Sequence, residues 1–521
     1  MKHLKHPSSI IKDKVFSVHL FTTHQNFYFS VNAILTFQGC LNELARVSAR
    51  IRSVEMASKP QVSTLGELKE SNYKVVPVRE ELRNNLINKI KAEEEVFPGI
   101  IGFENTVIPQ LENALLSGQD IILLGERGQA KSRLIRGLVN LLDPYIPVVM
   151  GCEINDDPYK PVCYGCREKA VELGEDLPVD WITPSDRYSE KLATPDISIA
   201  DLIGEIDPIK IAEGRYLGDE LAIHFGLVPR TNRGIFCINE LPDLSERIQV
   251  GLFNLMEERD VQIKGYRVQL PLDVYVVSTA NPEDYTNRGR IVTPLKDRYG
   301  SQIHTHYPQT LEQEIFIMDQ ERSKFPDEET LVIPQFMKEV LAEVTYQARS
   351  SREINQRSGV SVRASIANYE TMLSNSVRRT IRQGQEISCP RVSDLQYIMA
   401  SLSGKIELET FEEGSEGRLM EDLIKRAVIE IFTKYFSDAN LDEIVDSFDI
   451  GNTALTGSDE PSKNYPGMLD KISGLSGAVA VLTDDRRPEI VASAIEFILE
   501  GLHLSRRLNC ERTPVGNVYR R

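Results

Sequence analysis

The sequence predicts an α/β fold, a mostly parallel sheet with helices on both faces, followed by an all-helical region. Two observations predict this class. Short apolar runs alternate with helical segments between residues 96 and 308, as expected for a sheet whose strands are joined by helices. After Tyr307 the strand-like runs mostly stop and helical periodicity takes over. The strand-like runs are 120–125, 146–151, 234–239 and 274–281.

Helical periodicity defines the remaining elements. A charged helix is predicted over Glu80–Glu95, before the first strand. Further helices are predicted at Leu311–Phe325, Gln335–Arg349, Val362–Gln383, Val392–Ser403, Gly417–Tyr435 and Glu489–Leu508. The segment 451–477 is rich in Gly, Ser, Pro and Asp, which is typical of a loop or linker.

Composition limits the classes of function. A chain of 521 residues is too long for one hydrophobic core, so two or three domains are expected. The net charge of −17 disfavours nonspecific binding to nucleic acid or to a membrane surface. Seven cysteines in a chain of this length do not form a disulfide framework, and they indicate a reducing, cytoplasmic location.

Residues 1–55 differ from the rest of the chain. They contain many basic residues, and only Asp13, Glu43 and Glu55 are acidic. Their apolar part is interrupted too often for a transmembrane helix and lacks the clean apolar run of a secretory signal. We expect a disordered or misannotated extension, with a targeting arm as the alternative.

A phosphate-binding loop is predicted between the first strand and the helix that follows it. The stretch "GERGQAKS" nearly matches the pattern G-x-x-x-x-G-K-[ST]. Its residues are Gly125, Glu126, Arg127, Gly128, Gln129, Ala130, Lys131 and Ser132. Backbone N–H groups of such a turn converge on phosphates, while Lys131 reaches the β- and γ-phosphates of ATP and Ser132 binds Mg²⁺. Ala130 replaces the last glycine of the pattern, which is tolerable if its φ is negative.

Polar residues follow two further strands, and two arginines come later. Asn239 and Glu240 end the strand in "GIFCINELPDL", and Asn281 ends the strand in "VYVVSTAN". Arg298 stands in "PLKDRYG", and Arg363 begins a helix in "GVSVRASI". Considered without the order of these motifs, each arginine could simply form an ion pair at the surface. Asn281 could likewise be a turn residue before Pro282.

This order of motifs resembles the AAA+ ATPases, and in particular the magnesium chelatase I subunit and the related MoxR group. "HFGLVPRTNRGIF" and "LIGEID" are similar to stretches of that group, and Ala before Lys in the loop is a MoxR feature. The resemblance covers about residues 95–405 and implies an extra hairpin near 204–233. It implies a nucleotide-binding domain at 96–308 and a helical lid at 309–408. Outside the resemblance, composition and helical periodicity predict an N-terminal helical segment at 56–95 and a C-terminal helical region at 409–521.

The resemblance also implies a role for each polar residue. Glu240 would orient the attacking water, with Asn281 as the sensor that positions it. Arg298 would reach the γ-phosphate bound to a neighbouring subunit, with Arg290 as a weaker candidate for an intersubunit contact. Arg363 would be the lid arginine that contacts the same phosphate.

Asn239 departs from the usual pattern, in which an Asp holds the Mg²⁺ hydration shell. An Asn keeps a carbonyl acceptor for that water but loses the charge. Because Glu240 is present, we expect an active but slow ATPase, with an inactive ATP-binding scaffold as the alternative.

Three functions remain open. The first is a ring-forming motor, commonly hexameric, that uses ATP and Mg²⁺ to remodel a partner, typically a protein with a von Willebrand A domain. The second is a magnesium chelatase subunit for Mg²⁺ insertion into a porphyrin, which Asn239, Ala130 and the unmatched C-terminal extension disfavour. The third is a nucleic-acid-acting machine, disfavoured by the acidic charge and the absence of a G-A-F-T-G-A loop.

Three cysteines lie within fifteen residues, in "CEINDDPYKPVCYGC". Cys163 and Cys166 have the spacing of a metal knuckle, and Cys152 follows a predicted strand that a loop can bring close to them. They are candidate ligands for Zn²⁺ or an iron–sulfur cluster. An Asp, His224 or a partner residue would supply the fourth ligand. The alternative explanations are three free thiols in a loop and a redox pair.

Overall fold

The computed structural model describes most of the chain after residue 58. The described residues are 59–207, 222–262, 269–281, 290–356, 359–409, 415–513 and 516–521, together with Ile209 and Ala212. The predicted extension at 1–55 lies outside them. Within the described part of the chain, no helix combines the length and the apolar character needed to span a membrane.

A five-stranded parallel sheet forms the centre of the N-terminal half. Its strands lie side by side in the order Ser301–His304, Ile121–Leu124, Val274–Ala280, Gly234–Asn239 and Tyr188–Leu192. Its strands are β1 (Ile121–Leu124), β4 (Tyr188–Leu192), β7 (Gly234–Asn239), β10 (Val274–Ala280) and β11 (Ser301–His304). The predicted strands at 120–125, 234–239 and 274–281 are therefore confirmed. Neither β4 nor β11 was predicted, because neither is a continuous apolar run.

The central strands are buried on both faces, which explains their uninterrupted apolar sequences. In β7, Phe236 and Ile238 point into one core, while Ile235 and Cys237 point into the other. This alternation follows from the two-residue period of a strand. Both faces of the sheet are therefore covered, as the sequence predicts.

Helices of the N-terminal half cover the two faces of the sheet, except for Leu65–Glu70 and Tyr164–Leu173, which contribute to a separate small core. They are α1 (Leu65–Glu70), α2 (Val78–Lys91), α3 (Val107–Leu116), α4 (Lys131–Gly137), α5 (Tyr164–Leu173), α6 (Ile199–Leu202), α7 (Leu227–Arg230), α8 (Glu246–Gly251), α9 (Phe253–Glu257) and α10 (Thr293–Arg298). The predicted charged helix corresponds to α2, whose Val78, Leu82 and Leu86 are fully buried in the same core as Ile121 of β1. A buried ion pair also joins α2 to the start of β4, since Arg187 contacts both carboxylate oxygens of Glu81, at 2.7 and 2.6 Å.

In the described part of the N-terminal half, three antiparallel strand pairs lie outside the central sheet. They are β2 (Ile146–Val149) with β3 (Val179–Ile182), β5 (Gly204–Ile206) with β6 (Ile223–Phe225), and β8 (Asp260–Gln262) with β9 (Gln269–Pro271). The predicted strand at 146–151 exists as β2, but its assignment to the parallel sheet is wrong because its partner is the following strand, β3. The pair β5–β6 lies in the segment expected to hold the extra hairpin.

The C-terminal half is helical around a single core. Its helices are α11 (Leu311–Glu321), α12 (Gln335–Ser350), α13 (Val362–Gln383), α14 (Met399–Leu402), α15 (Ser415–Phe436), α16 (Asp442–Asp449), α17 (Pro466–Lys471), α18 (Leu475–Leu482) and α19 (Pro488–Leu504). A 3₁₀ helix at Val392–Ile398 precedes α14. One hydrophobic core runs from Ile315 to Tyr519, so the predicted lid and C-terminal region share it. The boundary at residues 408–409 stays a prediction.

The segment 451–477 is not a simple loop. It contains strand β12 (Ala454–Thr456), a 3₁₀ helix at Ser462–Asn464, α17 and the start of α18. Strand β12 pairs with β14 (Gly516–Arg520), which also pairs with β13 (Asn509–Thr513). The expectation of a linker is corrected because Tyr465 is fully buried and its hydroxyl donates to Glu496 of α19 at 2.6 Å.

Candidate functional site

The predicted phosphate-binding loop lies between β1 and α4, as expected. The Lys131 ammonium donates to the carbonyl oxygen of Glu126 at 2.7 Å and to that of Gly125. It also donates to the Asn281 Oδ1 atom, at 2.7 Å, beyond the end of β10. Two sequence-predicted residues 150 positions apart are therefore in direct contact.

A buried polar contact holds the predicted phosphate-binding loop against the chain that follows β11. The Gln129 side-chain Oε1 atom accepts from the Glu126 backbone N–H at 3.0 Å and from the Thr305 hydroxyl at 2.7 Å. Thr305 follows β11, on the other side of β1 from β10. A Cβ atom on Gly125 would lie within 3.0 Å of both Thr305 Oγ1 and Gln129 Oε1, so only glycine fits there.

Ala130 does not have the negative φ that the sequence analysis required of it. Its φ is +53°, in the left-handed region, and its carbonyl already accepts the first hydrogen bond of α4, from the Leu134 N–H at 2.9 Å. This conformation costs a non-glycine residue about 1–2 kcal/mol. The expectation is wrong because the loop turns at Ala130 itself, one residue before α4 begins.

The Asn239–Glu240 pair ends β7 beside the loop. Glu240 also has a positive φ, of +57°, and its backbone N–H donates to the Thr279 hydroxyl at 3.0 Å. That hydroxyl donates to the Asn239 carbonyl oxygen at 3.3 Å. Non-glycine residues in left-handed conformations cluster at functional sites, and here two of them flank one cavity.

The Asn239 side chain contacts a carboxylate that the sequence analysis missed. Its amide nitrogen donates to Glu190, on the neighbouring strand β4. Glu190 also accepts from the Arg136 guanidinium of α4, at 2.9 and 3.0 Å, and from the Tyr188 hydroxyl at 2.9 Å. The hydrogen bond from Arg136 is the main cause that lowers the pKa of Glu190, so this carboxylate is charged at neutral pH.

One cavity of about 650 Å³ collects the predicted residues. Its size lies within the usual range of small-molecule sites, about 300–1,000 Å³. The predicted residues that line it are Arg127, Gly128, Gln129, Ala130, Lys131, Ser132, Asn239, Glu240, Asn281 and Arg363. Arg363 reaches it from the first turn of α13, so the helical region closes one side of the cavity.

Two other candidate arginines lie outside this cavity. Arg298 donates to Glu257 and, at 2.7 Å, to the Pro294 carbonyl, and its guanidinium stacks 4.7 Å from the Phe253 ring centre. Arg290 is exposed. Neither is among the described residues that line the cavity of this chain.

Glu126 and Tyr307 form a second polar contact next to the loop, although neither is among the described residues that line the cavity. The Tyr307 hydroxyl donates to the Arg127 carbonyl at 2.9 Å. Burial raises the pKa of Glu126, against the opposing effect of Tyr307 and of Lys131. The loop is therefore tied to the chain that leaves β11 and enters the helical region.

The three candidate metal-ligating cysteines lie together, away from the nucleotide-site candidates. The sulfur atoms of Cys152, Cys163 and Cys166 and a carboxylate oxygen of Asp156 all lie within 4.8 Å of one another. Burial raises the pKa of Asp156 to about 7. His224, another suggested ligand, does not belong to this group.

Comparison with known proteins identifies similar chains. The family model described as Sigma-54 interaction domain matches residues 211–295. The magnesium-chelatase subunit ChlI of Nostoc sp. is 28% identical over 230 residues, covering 41% of this chain and 56% of that protein. The ChlI homolog of Methanocaldococcus jannaschii is 29% identical over 214 residues, covering 40% and 53%. The chain thus spans about half the length of these relatives.

Solved structures with similar chains include a magnesium chelatase complex and NtrX from Brucella abortus. A complex of the BchI and BchD subunits of magnesium chelatase matches 63% of this chain and 98% of the other, with 20% identity and a TM-score of 0.33. NtrX from Brucella abortus in complex with ADP matches 78% and 70%, with 12% identity and a TM-score of 0.33.

Replacing Gly125 with Ala should weaken ATP binding. The added methyl group would collide with Thr305 and Gln129, so the loop must move away from the position in which its N–H groups converge. We expect a Kd for a fluorescent ATP analogue at least about tenfold higher, equivalent to 1.4 kcal/mol. Gly467→Ala is the matched control, because nothing lies within 4 Å of its added Cβ. Unchanged affinity in the Gly125→Ala protein would remove the loop from the binding site.

Proposed function

We propose that this chain, which belongs to the AAA+ group of the magnesium chelatase I subunits and MoxR-like proteins, couples ATP hydrolysis to the remodelling of a partner protein. The observation that carries the proposal is the convergence on one cavity of Lys131, Asn281, Glu240 and Arg363. These residues come from β1–α4, β10, β7 and the helical region, and no single structural role requires all four together.

The residues of the cavity fit ATP and Mg²⁺. The loop 125–132 offers backbone N–H groups and the Lys131 ammonium to phosphate oxygens. Gly128 lies so close to Ser361 that a Cβ atom would collide with it, so this position of the loop requires glycine. Ser132 would be a direct Mg²⁺ ligand, and Asn239 would hold a water of the metal shell. Bound Mg²⁺ would neutralise charge that develops on the phosphate oxygens. A metal ion at the cysteine cluster is independent of this proposal.

Glu240 is the proposed residue that orients and activates the attacking water. Its backbone is fixed in the left-handed region by the hydrogen bond to Thr279. Asn281 is the proposed sensor, since its side chain already contacts the Lys131 ammonium that would pair with the γ-phosphate. Arg363 would place positive charge on the same phosphate from the helical region.

Glu190 is the proposed source of the negative charge that Asn239 lacks. A carboxylate at hydrogen-bond distance from the Asn239 amide lies one strand away from the usual Asp. It would fix the amide with its nitrogen toward β4 and its carbonyl toward Thr279. We therefore propose that the Asn239–Glu190 pair as a whole replaces the usual single Asp.

Glu240→Gln should bind ATP but fail to hydrolyse it. The amide keeps the shape of the side chain but cannot accept a proton, and loss of such a group costs about 10²–10⁴ in rate. Phosphate release measures the rate, and ATP affinity should stay within a few-fold of the wild type. Glu246→Gln, on the exposed first turn of α8, should leave both unchanged. Normal phosphate release from Glu240→Gln would contradict the proposed site.

A charge exchange between strands tests the role of Glu190. Asn239→Asp alone places two carboxylates in contact, and Glu190→Gln alone leaves none, so each should lower kcat by roughly tenfold, or 1.4 kcal/mol. The double variant Asn239→Asp/Glu190→Gln again has one carboxylate and should recover to within about threefold of the wild type. A faster Asn239→Asp enzyme, or full activity of Glu190→Gln, would show that Glu190 does not supply the charge.

Arg298 is proposed to act on the nucleotide of a neighbouring subunit in a ring. It lies outside the cavity of its own chain, whereas Arg363 lines it. Mixing two inactive variants separates these roles. Rings of Arg298→Ala subunits alone should lose about 10³–10⁵ in hydrolysis rate. In mixed rings, an Arg298→Ala subunit keeps an intact cavity and can receive Arg298 from an adjacent Glu240→Gln subunit. Activity should therefore return in the mixture.

The matched control mixes Arg363→Ala with Glu240→Gln, where every cavity lacks one of its own residues. We expect no recovery from that mixture. Equal behaviour of the two mixtures would contradict the assignment of Arg298 to the neighbouring cavity. Activity of dilute, monomeric wild-type protein would contradict it too.

The similarity to chelatase I subunits supports magnesium insertion into a porphyrin as a second candidate function. The Sigma-54 interaction match supports a third, action on a transcription complex, but it covers only residues 211–295 and leaves out the loop at 125–132. We favour the remodelling motor, acting on a partner with a von Willebrand A domain. Capture of partners by the ATP-bound Glu240→Gln protein distinguishes the three: a von Willebrand A protein, a large porphyrin-binding subunit, or a sigma factor.

A further inference from the structure

The cysteine cluster is the strongest group of candidate ligands outside the nucleotide cavity. The four ligand atoms of Cys152, Asp156, Cys163 and Cys166 lie within 4.8 Å of one another. Asp156 and Cys166 are buried, and the other two are partly buried. None of the four lines the nucleotide cavity.

Asp156 has an oxygen atom that the rest of the described structure leaves unsatisfied. Its Oδ2 atom accepts from the backbone N–H groups of Val162 and Cys163, at 3.2 and 3.0 Å. Its Oδ1 atom is buried and has no hydrogen-bond partner among the described residues. A fully buried carboxylate oxygen without a partner costs about 1–3 kcal/mol or more. This oxygen atom, next to three sulfur atoms, is therefore available as a ligand for a cation.

The backbone around the cluster is arranged to stabilise negatively charged sulfur. The Cys152 sulfur accepts from the N–H groups of Ile154 and Asp156, at 3.4 and 3.5 Å. The Cys163 sulfur caps α5 by accepting from the Cys166 N–H at 3.4 Å. Hydrogen bonds to a thiolate favour its charged form, which is the form that binds metal.

We propose that Cys152, Asp156, Cys163 and Cys166 bind one zinc ion. In a tetrahedral site with Zn–S bonds of about 2.3 Å, neighbouring ligand atoms are about 3.8 Å apart, which fits a group confined within 4.8 Å. Three thiolates and a carboxylate saturate four coordination positions, so the site is closed and structural, without an open position for catalysis. An iron–sulfur cluster uses four cysteines as its common ligand set, and here there are three.

The zinc ion would hold together a small core that has few apolar residues. The cluster joins the loop after β2 to the start of α5, next to Leu68 of α1, Leu177 and Trp181. Among the described residues, this core contains only five buried apolar residues besides the ligand Cys166, against more than twenty in each core of the central sheet. A core of this size gains stability from a metal that cross-links its loops.

Metal analysis of freshly purified protein tests the proposal directly. We expect about one zinc ion per chain and negligible iron, and substitution by Co²⁺ should give the visible absorption of a tetrahedral thiolate site. Cys163→Ser/Cys166→Ser should lose the zinc. Asp156→Asn should bind it at least about tenfold more weakly, since even the loss of an outer-shell partner costs about 10–100-fold. Cys510→Ser, which lies on β13 outside the cluster, is the matched control.

A measurement on the wild type avoids variants that fail to fold. Without a chelator, the three cluster thiols should resist alkylation, and a strong zinc chelator should make three further thiols reactive. Zinc retained in the double variant, stoichiometric iron, a disulfide within the cluster, or metal-free protein whose cluster thiols react at once would each overturn the proposal. ATP binding by the protein from which zinc has been removed distinguishes the zinc site from the nucleotide cavity. The zinc proposal and the ATPase proposal can therefore fail independently of each other.

Discussion

The candidate site depends on one constraint: the register of three adjacent parallel strands, which aligns their carboxyl ends at one edge of the sheet. Leu124 of β1 lies opposite Ala280 of β10, and Ser278 of β10 lies opposite Ile238 of β7. The residues that follow these strands therefore emerge at one edge of the sheet, where loops and side chains can meet. A slip of one residue in β7 would turn Glu240 to the opposite face and remove it from the edge. The apolar residues buried on both faces prevent that slip, so the core of the sheet fixes the chemistry at its edge.

Residues at strand ends could be predicted from the sequence because their signal is local. Lys131, Asn239, Glu240 and Asn281 each follow a short apolar run, and the structure brings them to one cavity. Glu190 could not be predicted in this way. It lies inside the partly exposed strand "YSEKL", and only tertiary pairing of β4 with β7 brings it to Asn239. Its importance appears only when the hydrogen bonds of Asn239 are known.

The errors in the predictions made from the sequence also arise because tertiary contacts leave no local signal in the sequence. Apolar runs identify strands but not their partners, so β2 could not be distinguished from a strand of the central sheet. In the segment 451–477, Gly, Ser and Pro indicated a loop, but buried polar contacts determine its structure. Arg391 is fully buried, contacts Ser462, and donates to the Tyr465 hydroxyl at 3.3 Å and to the Glu460 carbonyl at 2.9 Å. Buried polar groups need such partners, and no local pattern in the sequence reveals them.

Glu190 also links Asn239, which stands where an Asp is usual, to α4, the helix that follows the predicted phosphate-binding loop. Glu190 on β4 accepts hydrogen bonds from Arg136, which lies in the last turn of α4, as well as from Asn239 of β7. Arg136 lines the nucleotide cavity, so its charge and that of Glu190 act on the same space with opposite signs. A change in the Arg136–Glu190 contact would alter the field at Asn239 without moving the strand ends. In this chain the charge beside the proposed nucleotide site thus depends on α4 as well as on the sheet.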